Sequence, residues 1–88
     1  MSSYQLKLAA SVERTLARLP EFAAAAIVEF MTGPLLENPQ RVGKLLRLDL
    51  KGYHAARRGP YRVVYRIEGD LTVSVVRIDH RADVYRPR

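Results

Sequence analysis

The spacing of apolar residues changes partway along the chain. Tyr4-Gln5-Leu6-Lys7-Leu8 alternates apolar and polar positions, the pattern of a short strand. Ser11 then stands before Val12, Leu16 and Leu19, which share one helical face, with Ser11 placed to cap its start. Pro20 ends that helix and suits the first turn of another. Ala23, Ile27, Phe30 and Met31 put a second apolar stripe on residues 21–32, flanked by Glu21 and Glu29. Gly33-Pro34 is expected to break or kink this helix, and Asn38-Pro39 to close the segment. Two helices with a short connection predict an antiparallel helical hairpin.

Beyond Arg41 the period becomes two. Leu46, Leu48 and Leu50 alternate with Arg47, Asp49 and Lys51, as in a half-buried strand, and Gly52 marks a bulge or bend before Tyr53. Arg57-Arg58-Gly59-Pro60 reads as a turn. Tyr61, Val63, Tyr65 and Ile67 form one face of the next strand; Arg62, Val64 and Arg66 form the other. Glu68-Gly69-Asp70 is a tight hairpin turn, and Leu71 to Ile78 is a β-branched final strand. The expected class is α+β: a small antiparallel sheet in the order β-α-α-β-β-β, with the helical hairpin packed on one face and residues 1–88 forming one domain. The opposite face is expected to be free and to carry Arg62 and Arg66.

Composition narrows the function classes. The chain has 88 residues and is 48% apolar, enough for one modest core. It has no cysteine, which excludes disulfides and thiolate metal sites, and two histidines make a metal site a poor fit. No apolar run approaches the roughly 20 residues of a membrane helix. Met1-Ser2-Ser3-Tyr4 lacks the basic and apolar regions of a signal peptide, so a soluble cytoplasmic protein is expected. The net charge of +6 is uneven: residues 1–40 carry three Lys/Arg against four Asp/Glu, and residues 41–88 carry twelve against five. Ten of those twelve cations are arginine, whose planar fork matches phosphate oxygens. A basic surface kept for solubility, or an acidic protein partner, would account for the same charge.

The candidate chemistry lies in this basic half. Arg62, opposite the core face of its strand, is placed to hold a phosphate and stabilise the charge of a pentavalent phosphoryl transition state. The alternative is a structural arginine paired with a strand carboxylate such as Asp49. His80, Arg81 and Tyr85 follow the final strand. A histidine moves protons near neutral pH, and a tyrosine can do so when a cation such as Arg81 lowers its pKa. Their alternatives are a surface histidine and a tyrosine packed against the helices. His54 lies on the preceding basic strand, and Tyr53 and Tyr61 nearby are of the kind that stacks on bases, although Tyr61 belongs to the core-face set. The glycines are scattered singly and form no phosphate loop, and Glu13, Glu21, Glu29 and Glu37 lie on the helical half as solvated positions.

Three motifs carry a resemblance: Val42-Gly43-Lys44-x-Leu46, Ala56-Arg57-Arg58-Gly59-Pro60-Tyr61-Arg62-Val63-Val64-Tyr65-Arg66-Ile67, and Asp79-His80-Arg81-Ala82-Asp83-Val84-Tyr85. With this order of elements the chain resembles the RelE-like toxins of bacterial type II toxin–antitoxin modules, in the RelE/ParE superfamily. The resemblance implies a cofactor-independent endoribonuclease that enters the A site of the small ribosomal subunit and cuts mRNA by 2′-OH attack on the adjacent phosphate. It also implies a cognate antitoxin that neutralises the toxin. Arg62 falls on the family's strand arginine at the scissile phosphate, Arg81 on its second phosphate arginine, and Tyr85 on the tyrosine proposed to act on the 2′-OH. His80 lies where some members carry a catalytic histidine. Lys44, Arg47, Lys51, His54, Arg57, Arg58 and Arg66 are the expected RNA-binding residues. The lysine pair of the family's preceding strand is represented here by His54 and Ala56. Two alternatives share the fold or the charge: a ParE-like poison of DNA gyrase, and an RNA- or ribosome-binding protein without catalysis.

Overall fold

The computed structural model describes residues 4–46 and 52–80. The elements are β1 (Gln5–Leu8), α1 (Ala10–Arg18), α2 (Glu21–Thr32), α3 (Pro34–Glu37), α4 (Pro39–Val42), β2 (Lys44–Leu45), β3 (His54–Arg58), β4 (Tyr61–Glu68) and β5 (Thr72–His80). They form one sheet in the order β1-β5-β4-β3-β2. The meander β2 to β5 is antiparallel, as local turns between sequential strands dictate. β1 joins β5 in parallel, with Leu6 opposite Val73 and Leu8 opposite Val75. The intervening helices return the chain to the same end of the sheet, a requirement that alternation within β1 does not express. Among the described residues, no helix is long and apolar enough to cross a membrane.

The helical stripes pack as their spacing requires. Val12, Ala23, Ile27, Phe30 and Met31 are buried, and all of these but Ala23 join Val63, Tyr65, Val73, Val75 and Ile78 of the sheet in one core cluster. Ser11 is not the cap of α1. Ala9 holds that position, because its N–H is bonded to the Val75 carbonyl at 3.0 Å as an extension of β1, so the helix starts two residues early. The Ser11 hydroxyl donates instead to the Val76 carbonyl at 3.4 Å and ties α1 to β5. Gly33-Pro34 breaks the second helix as expected, but Asn38-Pro39 does not close the segment. Each proline starts a further single turn, a position where its missing N–H costs nothing.

Two strand boundaries also differ from the periodicity. Pairing with β3 begins at Lys44, and the Leu46 N–H continues it to the Tyr53 carbonyl at 2.8 Å; the rest of the expected strand, with Leu48 and Leu50, lies outside the described residues. Gly52, at φ +91°, makes the bend before Tyr53. Arg57 and Arg58 belong to β3 and not to the turn, since Arg58 pairs with Tyr61. This leaves a two-residue loop with Gly59 at φ +60°, the sign a II′ hairpin demands at its first loop position.

In the next hairpin Glu68 pairs with Thr72, and the left-handed residue is Leu71, at φ +63°, not Gly69. An L-residue there costs roughly 1–2 kcal/mol, and half-exposed Leu71 recovers little of it by burial. Leu71→Gly is therefore expected to stabilise the protein by about 0.5–1 kcal/mol, a net figure after the added freedom of the unfolded chain. Thermal melting would register this as a rise of a few degrees; a fall would show that the Leu71 side chain contributes more than its backbone costs.

Tyr65 anchors the core. It is 0% exposed, and its hydroxyl donates to the Pro39 carbonyl at 2.6 Å, joining β4 to the start of α4. Burial pushes its phenol up to about 12, from an ordinary value of 10.0. The folded state thus holds this proton more tightly than the unfolded chain. The resulting stability is fully present below pH 10 and is lost as pH rises through about 12. Tyr65→Phe is expected to cost about 1–2 kcal/mol near neutral pH, because the Pro39 carbonyl loses its donor. In urea titrations at stepped pH, the gap between Tyr65→Phe and wild type should narrow across that alkaline window; a constant gap would mean that the hydroxyl does not titrate with unfolding.

Candidate functional site

Strand register assembles a basic surface on the side of the sheet away from the helices. Tyr61, Val63, Tyr65 and Ile67 of β4 face the core, so Arg62, Val64 and Arg66 point the other way. Pairing extends these positions into rows across the strands. One row reads Arg57, Arg62, Asp79. The next reads Lys44, Ala55, Val64, Arg77. A bulge then adds Val76 to β5, and beyond it Arg66 lies opposite Ser74, which pairs with Lys7. The face is not uniformly open: Val64, Thr72 and Ser74 are buried within it.

The cations differ in how far they are neutralised. Arg62 donates from Nη2 to Asp79 Oδ2 at 3.4 Å, and Arg77 Nε donates to the same oxygen at 2.9 Å. Among the described residues the carboxylate partner of Arg62 is Asp79, two strand positions from Arg77; Asp49 lies outside them. Arg66 grips Glu68 Oε2 through Nε and Nη2, at 3.3 and 3.1 Å, and lies over the Tyr53 ring at 5.8 Å. The hydrogen bond to Glu68, and next the nearby Tyr53, raise its pKa further. Among the described residues, Lys44 and Arg57 have no ion-pair partner.

Lys44, Arg57 and Arg62 come together along an open groove of about 470 Å³, whose other lining residues are Val42, Gly43, Leu46 and Ala55. Arg62 is poised at its wall. Its side chain is 34% exposed, while its Nε is buried and has no hydrogen-bond partner among the described residues. Two guanidinium groups opposite each other across β3 and β4 repel one another until an anion lies between or beside them. The groove thus suits a phosphodiester: an apolar floor beside unpaired donors and excess positive charge.

Other residues expected to act here are elsewhere. His54 pairs with Tyr65 across β3 and β4 and stacks on its ring at 5.4 Å, on the helix side of the sheet. Arg58 also faces the helices, with its guanidinium 5.7 Å from the Phe30 ring centre. His80 pairs with Tyr61 and meets it edge-on at 5.1 Å, so the sheet lies between His80 and Arg62. Arg66 shares the face of Arg62 but is held by Glu68. Arg47, Lys51, Arg81 and Tyr85 lie outside the described residues. Two residues to which the motifs gave no role prove to shape the site. Asp79 holds Arg62 and Arg77, and Gly43 lets the groove wall approach Tyr65. Counting out from the Glu68–Thr72 hairpin would have set Arg62 beside Ile78; the bulge between Val64 and Tyr65 shifts the register by one and puts Asp79 there.

Comparison with known proteins agrees with the fold and covers the same residues. A family model described as the ParE toxin of the type II toxin–antitoxin system parDE matches residues 6–85. Toxin RelE of Mycobacterium tuberculosis is 54% identical over 84 residues, spanning 94% of this chain and 87% of that protein. Toxin RelG of the same organism is 48% identical, over 94% of this chain and 97% of its own length. Among solved structures, the toxin–antitoxin complex RelBE2 of M. tuberculosis contains a chain that matches with a TM-score of 0.84 at 46% identity, covering 89% of this chain and 98% of that one. A mutant of Escherichia coli toxin RelE in the free state, 18% identical, shares the fold with a TM-score of 0.75 over 97% of this chain and 88% of its own.

Proposed function

The chain belongs to the RelE-like toxins of type II toxin–antitoxin systems, and from that membership we propose that it is a ribosome-dependent endoribonuclease that cuts mRNA in the A site. The observation that carries the reading is the groove in which Arg57 and Arg62 stand side by side with Lys44, away from the helices and incompletely neutralised.

In the proposed reaction the 2′-oxygen of one nucleotide bonds to its own 3′ phosphorus and the bond from phosphorus to the next 5′-oxygen breaks. The products are a 2′,3′-cyclic phosphate and a free 5′-hydroxyl. The 2′-hydroxyl gives up a proton and the leaving oxygen takes one. Arg62 meets the charge that builds on the phosphoryl oxygens, and Arg57 and Lys44 hold the flanking backbone. Tyr85 is the proposed proton-transfer residue at the 2′-hydroxyl, and Arg81 a second cation at the phosphate. His80 faces the other side of the sheet beside Tyr61, and the proposal does not depend on it. A cognate antitoxin is the proposed partner. The M. tuberculosis RelBE2 complex pairs a related toxin with its antitoxin, and the +6 charge of this chain favours an acidic segment.

The test is translation in a cell-free system with purified protein, followed by primer extension on the mRNA. Cuts that appear only while ribosomes are translating are the expected result. Arrested translation over intact mRNA would indicate a ribosome binder without catalysis. Unaffected translation would end the reading, and a supercoiling assay would then examine gyrase.

A further inference from the structure

Asp79 is an anion placed one strand away from where the substrate phosphate is proposed to bind. Its Oδ2 receives two donors of unequal quality, Arg77 Nε at 2.9 Å and Arg62 Nη2 at 3.4 Å. The shorter contact is the stronger. Arg77 therefore draws the carboxylate along its own strand and leaves Arg62 loosely held. The row Arg57, Arg62, Asp79 is then a pair of like charges with one anion at its end. Asp79 offsets the repulsion in the empty site but also occupies donor capacity that a phosphate would use. Its side chain is 19% exposed, less than either arginine, so its charge is poorly screened by water.

We propose that Asp79 is a built-in competitor of the phosphodiester for Arg62, and that Arg77 sets how strongly it competes. Asp79 acts here as a positioning residue: it keeps the Arg62 fork at the groove wall and releases it when a better anion arrives. Arg77 tethers the carboxylate, so that release is easy. The inference takes its ligand from the proposed RNA reading.

The experiment measures binding of a short single-stranded RNA that carries 2′-O-methyl groups and so cannot be cut, by fluorescence anisotropy at one fixed salt concentration. Asp79→Asn keeps the shape of the side chain and removes its charge. It is expected to tighten binding roughly two- to fivefold, the range of a long, partly exposed ion pair. Arg77→Ala should loosen binding at least about twofold more with Asp79 present than in the Asp79→Asn background. Binding that is unchanged or weaker in Asp79→Asn overturns the proposal. An Arg77→Ala loss that is equal in both backgrounds also overturns it, since Arg77 would then be a phosphate contact in its own right. Melting curves accompany each variant, and Asp79→Ser replaces Asp79→Asn if the latter melts early. Should wild type bind no RNA, the RNA reading is at fault, and the competition is judged with inorganic phosphate. The Arg62 Nε–H resonance should then respond at lower phosphate concentration in Asp79→Asn than in wild type, and an identical response refutes the competition.

Discussion

Arg62→Ala is expected to reduce ribosome-dependent cutting by about 100- to 1000-fold, the usual loss when one donor to a developing oxyanion is removed. The same variant is expected to melt within a few degrees of wild type. Its one ion pair among the described residues is long, 3.4 Å, and Arg62 is one-third exposed, so the pair is worth no more than about 1 kcal/mol. Two features offset even that. The buried Nε has no partner to lose among the described residues, and removing the guanidinium ends the repulsion with Arg57 across the strands. Arg62→Lys separates charge from geometry: it keeps the cation but lacks the fork, and should recover only part of the rate. Primer extension and thermal melting on the same preparations decide the matter. Loss of folding in Arg62→Ala would make Arg62 a structural residue, whereas full cutting by a folded variant would assign the phosphate to another cation.

Gly43→Ala is expected to destabilise the protein by about 2–4 kcal/mol, a large share of the total for a domain this small. A methyl group at Gly43 would press on the Tyr65 hydroxyl, on Tyr65 Cε1 at 3.1 Å and on the Ala55 carbonyl at 3.0 Å. None of these can move cheaply. Tyr65 is fully buried with its hydroxyl fixed to the Pro39 carbonyl, and Ala55 is a rung of the β2–β3 ladder. Either the hydroxyl gives up its hydrogen bond or β2 separates from β3. Because β2 carries Lys44 and borders the groove, RNA binding should weaken along with the fold. Denaturant unfolding reads the stability, and a double-mutant cycle identifies the cause. Tyr65→Phe removes the hydroxyl, so Gly43→Ala should cost distinctly less in that background. Additive losses would place the clash at the Ala55 carbonyl instead.

These two residues mark the limits of what a linear pattern carries. Alternation along Tyr61–Ile67 is enough to put Arg62 opposite the core, because successive side chains on a strand point to opposite faces. The same reasoning places Arg66 on that face, where neighbouring Glu68 is its ion-pair partner. His54 and Arg58 could not be oriented in this way. The run Arg57-Arg58-Gly59-Pro60 reads as a turn in sequence, which hides the end of their strand, and the register to β4 depends on the tight Gly59 turn. Once that register is set, His54 stacks on Tyr65 and Arg58 covers Phe30. The resemblance sets His80 among the catalytic residues with Arg62, yet His80 is next to Asp79 on β5, and adjacent strand residues face opposite ways, which separates it from the groove.

The sequence by itself determined the α+β class, the helical stripes of Val12 and of Ala23, Ile27, Phe30 and Met31, the meander, and the place of Arg62. All of these follow from local periodicity and turn chemistry. Tertiary structure decided the parallel placement of β1, the start of α1 at Ala10, the contact between Gly43 and Tyr65, and the sharing of Asp79 by Arg62 and Arg77. Each of these depends on which residues meet across strands or helices far apart in the chain, and a repeat of two or of 3.6 residues contains no information about such partners.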